Sequence, residues 1–223
     1  VKPFFIKVIY MKKIVILGAG GFALELQGYI SDCLAVGALT GEFLGFLDDT
    51  IPVGTHLSSK WGVLGGIVDH KPDPDLLYYI ALGNPVDRRH LYSVLKAQGG
   101  EFGVLKHPSA YISSAAKLGE GAILCPFAFA GPLSQINENV LINIYGSVAH
   151  HSEVGKHSVL SPYATLNGHS SVGEAVFLGT SSVVTSNVSV GSLVKVAAGS
   201  VVYNNLSENA EAFGNPARVK KLT

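Results

Sequence analysis

The chain has 223 residues, with sixteen basic and sixteen acidic side chains and a formal net charge of zero. That balance provides no basic face for nucleic acid, and no apolar run of about twenty residues is present to insert in a membrane as a helix. The length suits two domains of ordinary size. Its two cysteines, Cys33 and Cys125, lie far apart without metal-type spacing, which fits a reducing, cytoplasmic setting.

The first ten residues, VKPFFIKVIY, precede Met11 and lack a signal-peptide cleavage pattern, so they read as an extension ahead of a natural start at Met11. MKKIVIL at 11–17 has a charged start and a short apolar run, the pattern of a buried parallel strand. Gly18-Ala19-Gly20-Gly21 follows, then FALELQGYI, a helix by composition. Strand, glycine turn and helix form a phosphate-binding arrangement, because glycines admit a ligand to the backbone and a helix N-terminus favours anions.

A second strand over Glu42–Leu47 ends in Asp48-Asp49, and a third over Leu76–Leu82 ends at Gly83-Asn84. A helix over 86–97 and a last strand over Phe102–Leu105 complete an open α/β domain. Ligands of such sheets bind at the carboxyl ends of the strands. The strand ends therefore nominate Ala19, Gly20, Gly21, Asp48, Asp49 and Gly83 as substrate contacts. The plainer readings are a tight turn without ligand and, for the two aspartates, a solvated turn. NAD is the sharper alternative, but Asp48 lies about thirty residues after Gly18, further than the dinucleotide fingerprint asks. The half-sized domain suits a nucleotide-sugar better.

From Ile112 through Leu118 and Leu124 to Val202, every sixth residue is aliphatic, and a second track of every sixth residue from Ala116 to Ser200 holds only Ala, Ser, Gly or Val. A period of six is neither helix nor single strand; it is the mark of a parallel β-helix. Three hexads make one coil of eighteen residues, so the repeat predicts about five coils and a prism roughly 24 Å tall at the strand spacing. Position two of the hexad is often Gly or Asn, as at Gly119, Asn137, Gly155 and Gly173, and these residues are expected to take positive φ there. Aromatic residues expected to face outward, Phe127, Phe129, Tyr145, Tyr163 and Phe177, predict that prisms pack together as a homotrimer.

His150 falls at position three of its hexad, and His151, His157 and His169 at position four; all four are expected to face outward. Gly168, one coil above His150, is expected to leave room beside the imidazole. His151 and His169 are one coil apart and should stack. A metal site needs three ligands, and the three-histidine spacing of β-helical carbonic anhydrases is absent, so a bare surface stack and no metal are expected.

The whole pattern resembles a known family. Its marks are KIVILGAGGFALE at the start, GFLDD at 45–49, IALGNPVDRR at 80–89, HPSAYIS at 107–113, the repeats, and GNPARVKK near the end. The combination resembles the bacterial sugar O-acyltransferases of the sialic acid O-acetyltransferase type and, within them, the UDP-4-amino-sugar N-acetyltransferases. That resemblance implies a small Rossmann-like domain (11–106) followed by a left-handed β-helix with a C-terminal tail (107–223). It also implies a trimer, acetyl-CoA in the cleft between prisms, and a nucleotide-sugar on the N-terminal domain.

The resemblance further implies a histidine general base, matched here by His150 with Val154-Gly155 completing the spacing, and an active-site asparagine, matched by Asn143. The family's acetyl-CoA positions fall on Val159, Thr180 and Ala198. In the family an acid usually follows the base, whereas here it is His151, so Glu153 or a neighbouring subunit would have to supply the carboxylate, or the base works without one. His151 is the alternative base. The activity implied is acetyl transfer to the amine of a nucleotide-linked amino sugar. A sialic acid-like hydroxyl is the alternative acceptor, and a β-helical metalloenzyme or a non-catalytic trimeric scaffold are the readings of other classes.

Overall fold

The computed structural model describes residues 11–220; the extension ahead of Met11 lies outside the described residues. The N-terminal unit is built from β1 (Lys13–Leu17), α1 (Gly21–Ala35), β2 (Glu42–Leu47), β3 (Val63–Gly65), β4 (Leu76–Ile80) and α2 (Pro85–Ala97). Its parallel sheet has the order β3-β2-β1-β4. β1 lies at the centre, and Ile14, Val15, Ile16 and Leu17 are buried. The short β3 has only three residues, too few for a periodic signal, and was not expected from the sequence.

Asn84 caps α2 by accepting from the Val86 N–H at 2.9 Å, with Pro85 in the first turn. By contrast α1 starts at Gly20 with no side-chain cap, which leaves its first N–H groups free. None of the helices among the described residues is long and apolar enough to cross a membrane.

The strand expected near Phe102–Leu105 is different in the structure. Phe102 makes only an isolated bridge to Tyr78, while Leu105–Lys106 forms β5 and pairs with Ile123–Leu124 in the solenoid. The solenoid therefore begins at β5, and a boundary after residue 106 cuts its first strand away.

Beyond β5 the chain makes two-residue strands at six-residue intervals, gathered into parallel faces whose partners lie eighteen residues apart, as in Leu141↔Val159. From Leu124 to Val202 no repeat aliphatic is more than 3 % exposed. The small residues four positions later are buried beside them, at Ala122, Ala128, Ser158 and Ser182 among others. Only the last coil breaks step: Leu206 bridges Val190 and Ala212 pairs with Val196, each sixteen residues on.

Positive φ falls at position four of the hexad, not at position two. Phe127, Leu133, Asn139, Tyr145, His151, His157, Tyr163 and His169 all have φ between +54° and +63°. No Val, Ile or Thr occupies this position through the run, because a β-branched side chain tolerates that conformation least. The position-two glycines serve a different purpose, which is stacking. A Cβ on Gly155 would sit 2.3 Å from the Gly173 carbonyl oxygen, and one on Gly119 would sit 2.5 Å from the Glu138 nitrogen. Gly155→Ala should accordingly cost about 1–3 kcal/mol. Gly28→Ala, in open space on α1, should be neutral or stabilising. Thermal melts of the two variants check this, and equal melting temperatures would contradict it.

Residues at position six decide what covers each face. On the face carrying Ile123, Leu141 and Val159 they are apolar and buried in one core with Ile16, Ala23, Leu26 and Ile30 of the N-terminal unit. On the face carrying Lys117, Gln135, Glu153 and Ser171 they are polar. Phe177 is half-buried against the first of these cores, so it is covered by its own chain and does not await a second prism.

Candidate active site

A cleft of about 810 Å³ opens at the carboxyl ends of the N-terminal strands, lined by Gly18, Asp48, Asp49, Thr50, Arg89 and His90 among others. Asp48 makes four hydrogen bonds within it. One carboxylate oxygen accepts the Ala19 N–H at 2.8 Å. The other accepts the Thr50 N–H at 2.8 Å, its hydroxyl at 2.7 Å and the Ile51 N–H at 3.0 Å. Burial alone would raise this carboxyl's pKa, but the hydrogen bonds outweigh it and hold the group below its ordinary value. Asp48 thus braces the turn, while its Oδ2 accepts one N–H and the residue still lines the cleft.

Asp49 differs. Its Oδ1 accepts the Ile67 and Val68 N–H groups at 2.7 and 3.0 Å, and its Oδ2 has no hydrogen-bond partner among the described residues. Ala19 is buried with its N–H tied to Asp48. Gly20 and Gly21 are exposed at the uncapped start of α1, with nothing within 4 Å of where a Cβ would stand. Gly83 is exposed, beside the cleft residue Leu82. Sequence reasoning missed Thr50, Asp87, Arg89 and His90. The last three lie within IALGNPVDRRH, whose helical period would have separated cleft-facing residues from core residues.

Arg88, next to them, points the other way. It is fully buried. Its guanidinium donates to the Ile80 and Leu82 carbonyls at 2.7 and 3.1 Å and to the backbone and side-chain oxygens of Asn139 at 3.0 and 2.8 Å. Asn139 Nδ2 donates in return to the Arg88 carbonyl at 3.1 Å and lies 3.0 Å from His157 Nδ1. Burial lowers the Arg88 pKa to about 9, still charged at neutral pH. This network fastens α2 to the solenoid. His157 was expected to face outward from the prism. It leaves the prism but is 6 % exposed, its ring 5.3 Å from that of Tyr92 on α2. Burial lowers its pKa to about 4, so it sits neutral in the interface.

The other three histidines share one exposed corner of the prism. His150 and His151 bring their Nδ1 atoms to 3.1 Å, with ring planes at 85°. His151 and His169 stack at 4.7 Å and 15°, as the repeat predicts. The expected free space over His150 is absent. A Cβ on Gly168 would lie 2.6 Å from His150 Cε1, so the imidazole itself fills the gap that the glycine leaves. His150 Nε2 has no hydrogen-bond partner among the described residues. Glu153 does not reach the pair: its carboxylate accepts from Asn137 and Gln135 at 3.0 and 3.4 Å.

The remaining expected residues lie elsewhere. Asn143 follows the strand Leu141–Ile142, at the corner before the one that carries His150, and its Oδ1 accepts the Ile144 N–H at 2.7 Å. Thr180 and Ala198 are exposed on that same earlier corner, one coil apart. Val159 is 2 % exposed inside the core between the two units, so its side chain is closed to a cofactor.

A strand-end cleft in a small α/β unit joined to a hexapeptide prism is the arrangement of solved sugar acetyltransferases, and the chain is an acyltransferase. The comparisons agree. Residues 13–95 match the family model of the PglD N-terminal domain. The acetyltransferase domain of PglB from Neisseria gonorrhoeae superposes with a TM-score of 0.85 at 26 % identity, covering 94 % of this chain and 100 % of that one. PerB from Caulobacter crescentus, solved with CoA and GDP-perosamine, gives 0.81 at 28 %, over 94 % and 97 %. WeeI from Acinetobacter baumannii gives 0.83 at 28 %, over 94 % and 100 %. A search of curated protein sequences finds no match.

Proposed function

We propose that the chain transfers the acetyl group of acetyl-CoA to the amine of a nucleotide-linked amino sugar, with His150 as general base. The observation that carries this is the His150 ring: Nδ1 fixed against His151, Nε2 unpartnered at an exposed corner. If His150 Nδ1–H donates to His151 Nδ1, Nε2 is left with a lone pair. That lone pair takes the proton of the amine as its nitrogen attacks the thioester carbonyl. The C–N bond forms, the C–S bond breaks, and the imidazolium returns the proton to the departing thiolate. His151 orients the base but carries no negative charge to stabilise the imidazolium.

Support comes from the similar structures. The PglB domain has been solved with acetyl coenzyme A. The perosamine N-acetyltransferase has been solved with CoA and GDP-perosamine after replacement of one histidine by asparagine or by alanine. In this chain the strand-end cleft would hold the nucleotide, with the Asp49 Oδ2 accepting from ribose or base and the bare α1 N-terminus meeting the diphosphate.

The site calls for more than one prism. Phe127, Tyr145 and Tyr163 stack with centroids 4.9 Å apart and stay 53 %, 45 % and 52 % exposed, beside Asn143, Thr180 and Ala198. His150 lies on the next corner. A homotrimer would bring the aromatic corner of one prism to the histidine corner of its neighbour and enclose acetyl-CoA between them. The proposed setting is the cytoplasm.

Sedimentation should give a trimer. Calorimetry should show binding of a UDP-, GDP- or dTDP-linked amino sugar, and thiol release should appear when acetyl-CoA is added. A stable monomer, or binding of NAD with no binding of any nucleotide-sugar, would overturn the reading.

A further inference from the structure

The acetyl-transfer reading uses only part of the histidine corner. Ring nitrogens of His150, His151 and His169 lie within 4.8 Å of one another, all on exposed side chains. The fold produces this directly. His151 and His169 hold the same repeat position with φ of +58° and +59°, so their side chains leave the backbone in parallel, one coil apart. His150 crosses both, at 85° to His151 and 80° to His169. The third imidazole, which the eighteen-residue spacing does not supply, comes from the adjacent residue at position three.

The donor set selects its ligand. Two imidazole nitrogens on a tetrahedral ion with metal–nitrogen bonds of about 2.05 Å are held roughly 3.3 Å apart. The Nδ1 atoms of His150 and His151 are 3.1 Å apart, and a ring nitrogen of His169 lies within 4.8 Å of a nitrogen on each. Three imidazoles with an open fourth position suit Zn²⁺. No carboxylate belongs to the cluster, which disfavours Mg²⁺ and Ca²⁺.

We propose that His150, His151 and His169 bind one Zn²⁺ ion, and that occupation silences acetyl transfer. The second half rests on His150 as the base. A neutral imidazole carries one proton. An ion on His150 Nδ1 sends that proton to Nε2, the nitrogen that must be bare to accept the proton of the amine. The ion also replaces the hydrogen bond between His150 and His151, so the orienting contact is lost together with the base.

The test uses the whole chain, freed of metal by a chelator and titrated with ZnCl₂ by calorimetry, with the visible spectrum of added Co²⁺ reporting coordination. Wild type should bind one ion per chain, lose turnover as the site fills, and recover it with EDTA. His169→Gln removes one ligand, and the ratio of its turnover with and without metal is compared with the same ratio in the wild type. The variant should bind Zn²⁺ at least about tenfold more weakly and keep working at Zn²⁺ concentrations that stop the wild type. Equal Zn²⁺ affinity in the two proteins, or tight binding with unchanged turnover, would overturn the proposal. The binding measurement needs no turnover, so full activity in His150→Ala would remove the base assignment while the titration still decided the site.

Discussion

Replacing His150 with alanine should lower turnover by about 10²–10⁴-fold, the usual contribution of a general base. The oligomeric state and acetyl-CoA binding should be those of the wild type, because the side chain is exposed and its loss opens no core cavity. The effect should fall on kcat and not on KM for acetyl-CoA. His151→Ala should cost less, since it removes the partner that orients Nδ1 and leaves Nε2 in place. His151→Glu should raise turnover, because a carboxylate beside Nδ1 stabilises the imidazolium where a neutral ring does not. Thiol release with the best nucleotide-amino-sugar acceptor measures all three. Near-normal turnover in His150→Ala with loss in His151→Ala would make His151 the base, and normal turnover in both would end the histidine mechanism.

Arg88→Met should destabilise the protein by about 3–5 kcal/mol, the range for breaking a buried charged network. The substitution keeps volume but strands the Ile80, Leu82 and Asn139 oxygens that the guanidinium satisfies. Arg88→Lys should recover only part of the loss, because one ammonium cannot serve acceptors on two sides. The same interface sets a pH response. The native His157 pKa of about 4 lies below the ordinary value of 6.5, so the unfolded chain binds the proton first. Stability is then fully present above about pH 6.5 and is lost as pH falls toward 4. Chemical denaturation of wild type, Arg88→Met and His157→Gln at pH 7.5 and 5 tests both statements. An Arg88→Met loss below about 1 kcal/mol, or an unchanged acid response in His157→Gln, would refute the corresponding one.

The prism was legible in the sequence because its physical cause is periodic. A core one residue wide demands an aliphatic at each sixth place, and a corner demands a small residue four places on, so Leu124 to Val202 fall where the repeat puts them. β1, β2, β4 and both helices were legible for similar reasons of length and patterning. The left-handed corners were misplaced because Gly and Asn draw attention at position two, while positive φ falls at position four, marked only by the absence of β-branched residues.

Tertiary structure alone decided the rest. His151, His157 and His169 hold the same repeat position, yet α2 covers His157 and leaves the other two in solvent. Asp48 and Asp49 are neighbours, but the turn at Thr50 takes up one oxygen of the first, and the loop at Ile67 leaves an oxygen of the second without a partner among the described residues. The Val159 side chain is buried because the N-terminal unit packs on its face. A repeat dictates which way a side chain leaves the prism. What it meets there depends on chain folded back from far away in sequence, as Ile16 and Ile30 are from Val159, and no local pattern encodes that encounter.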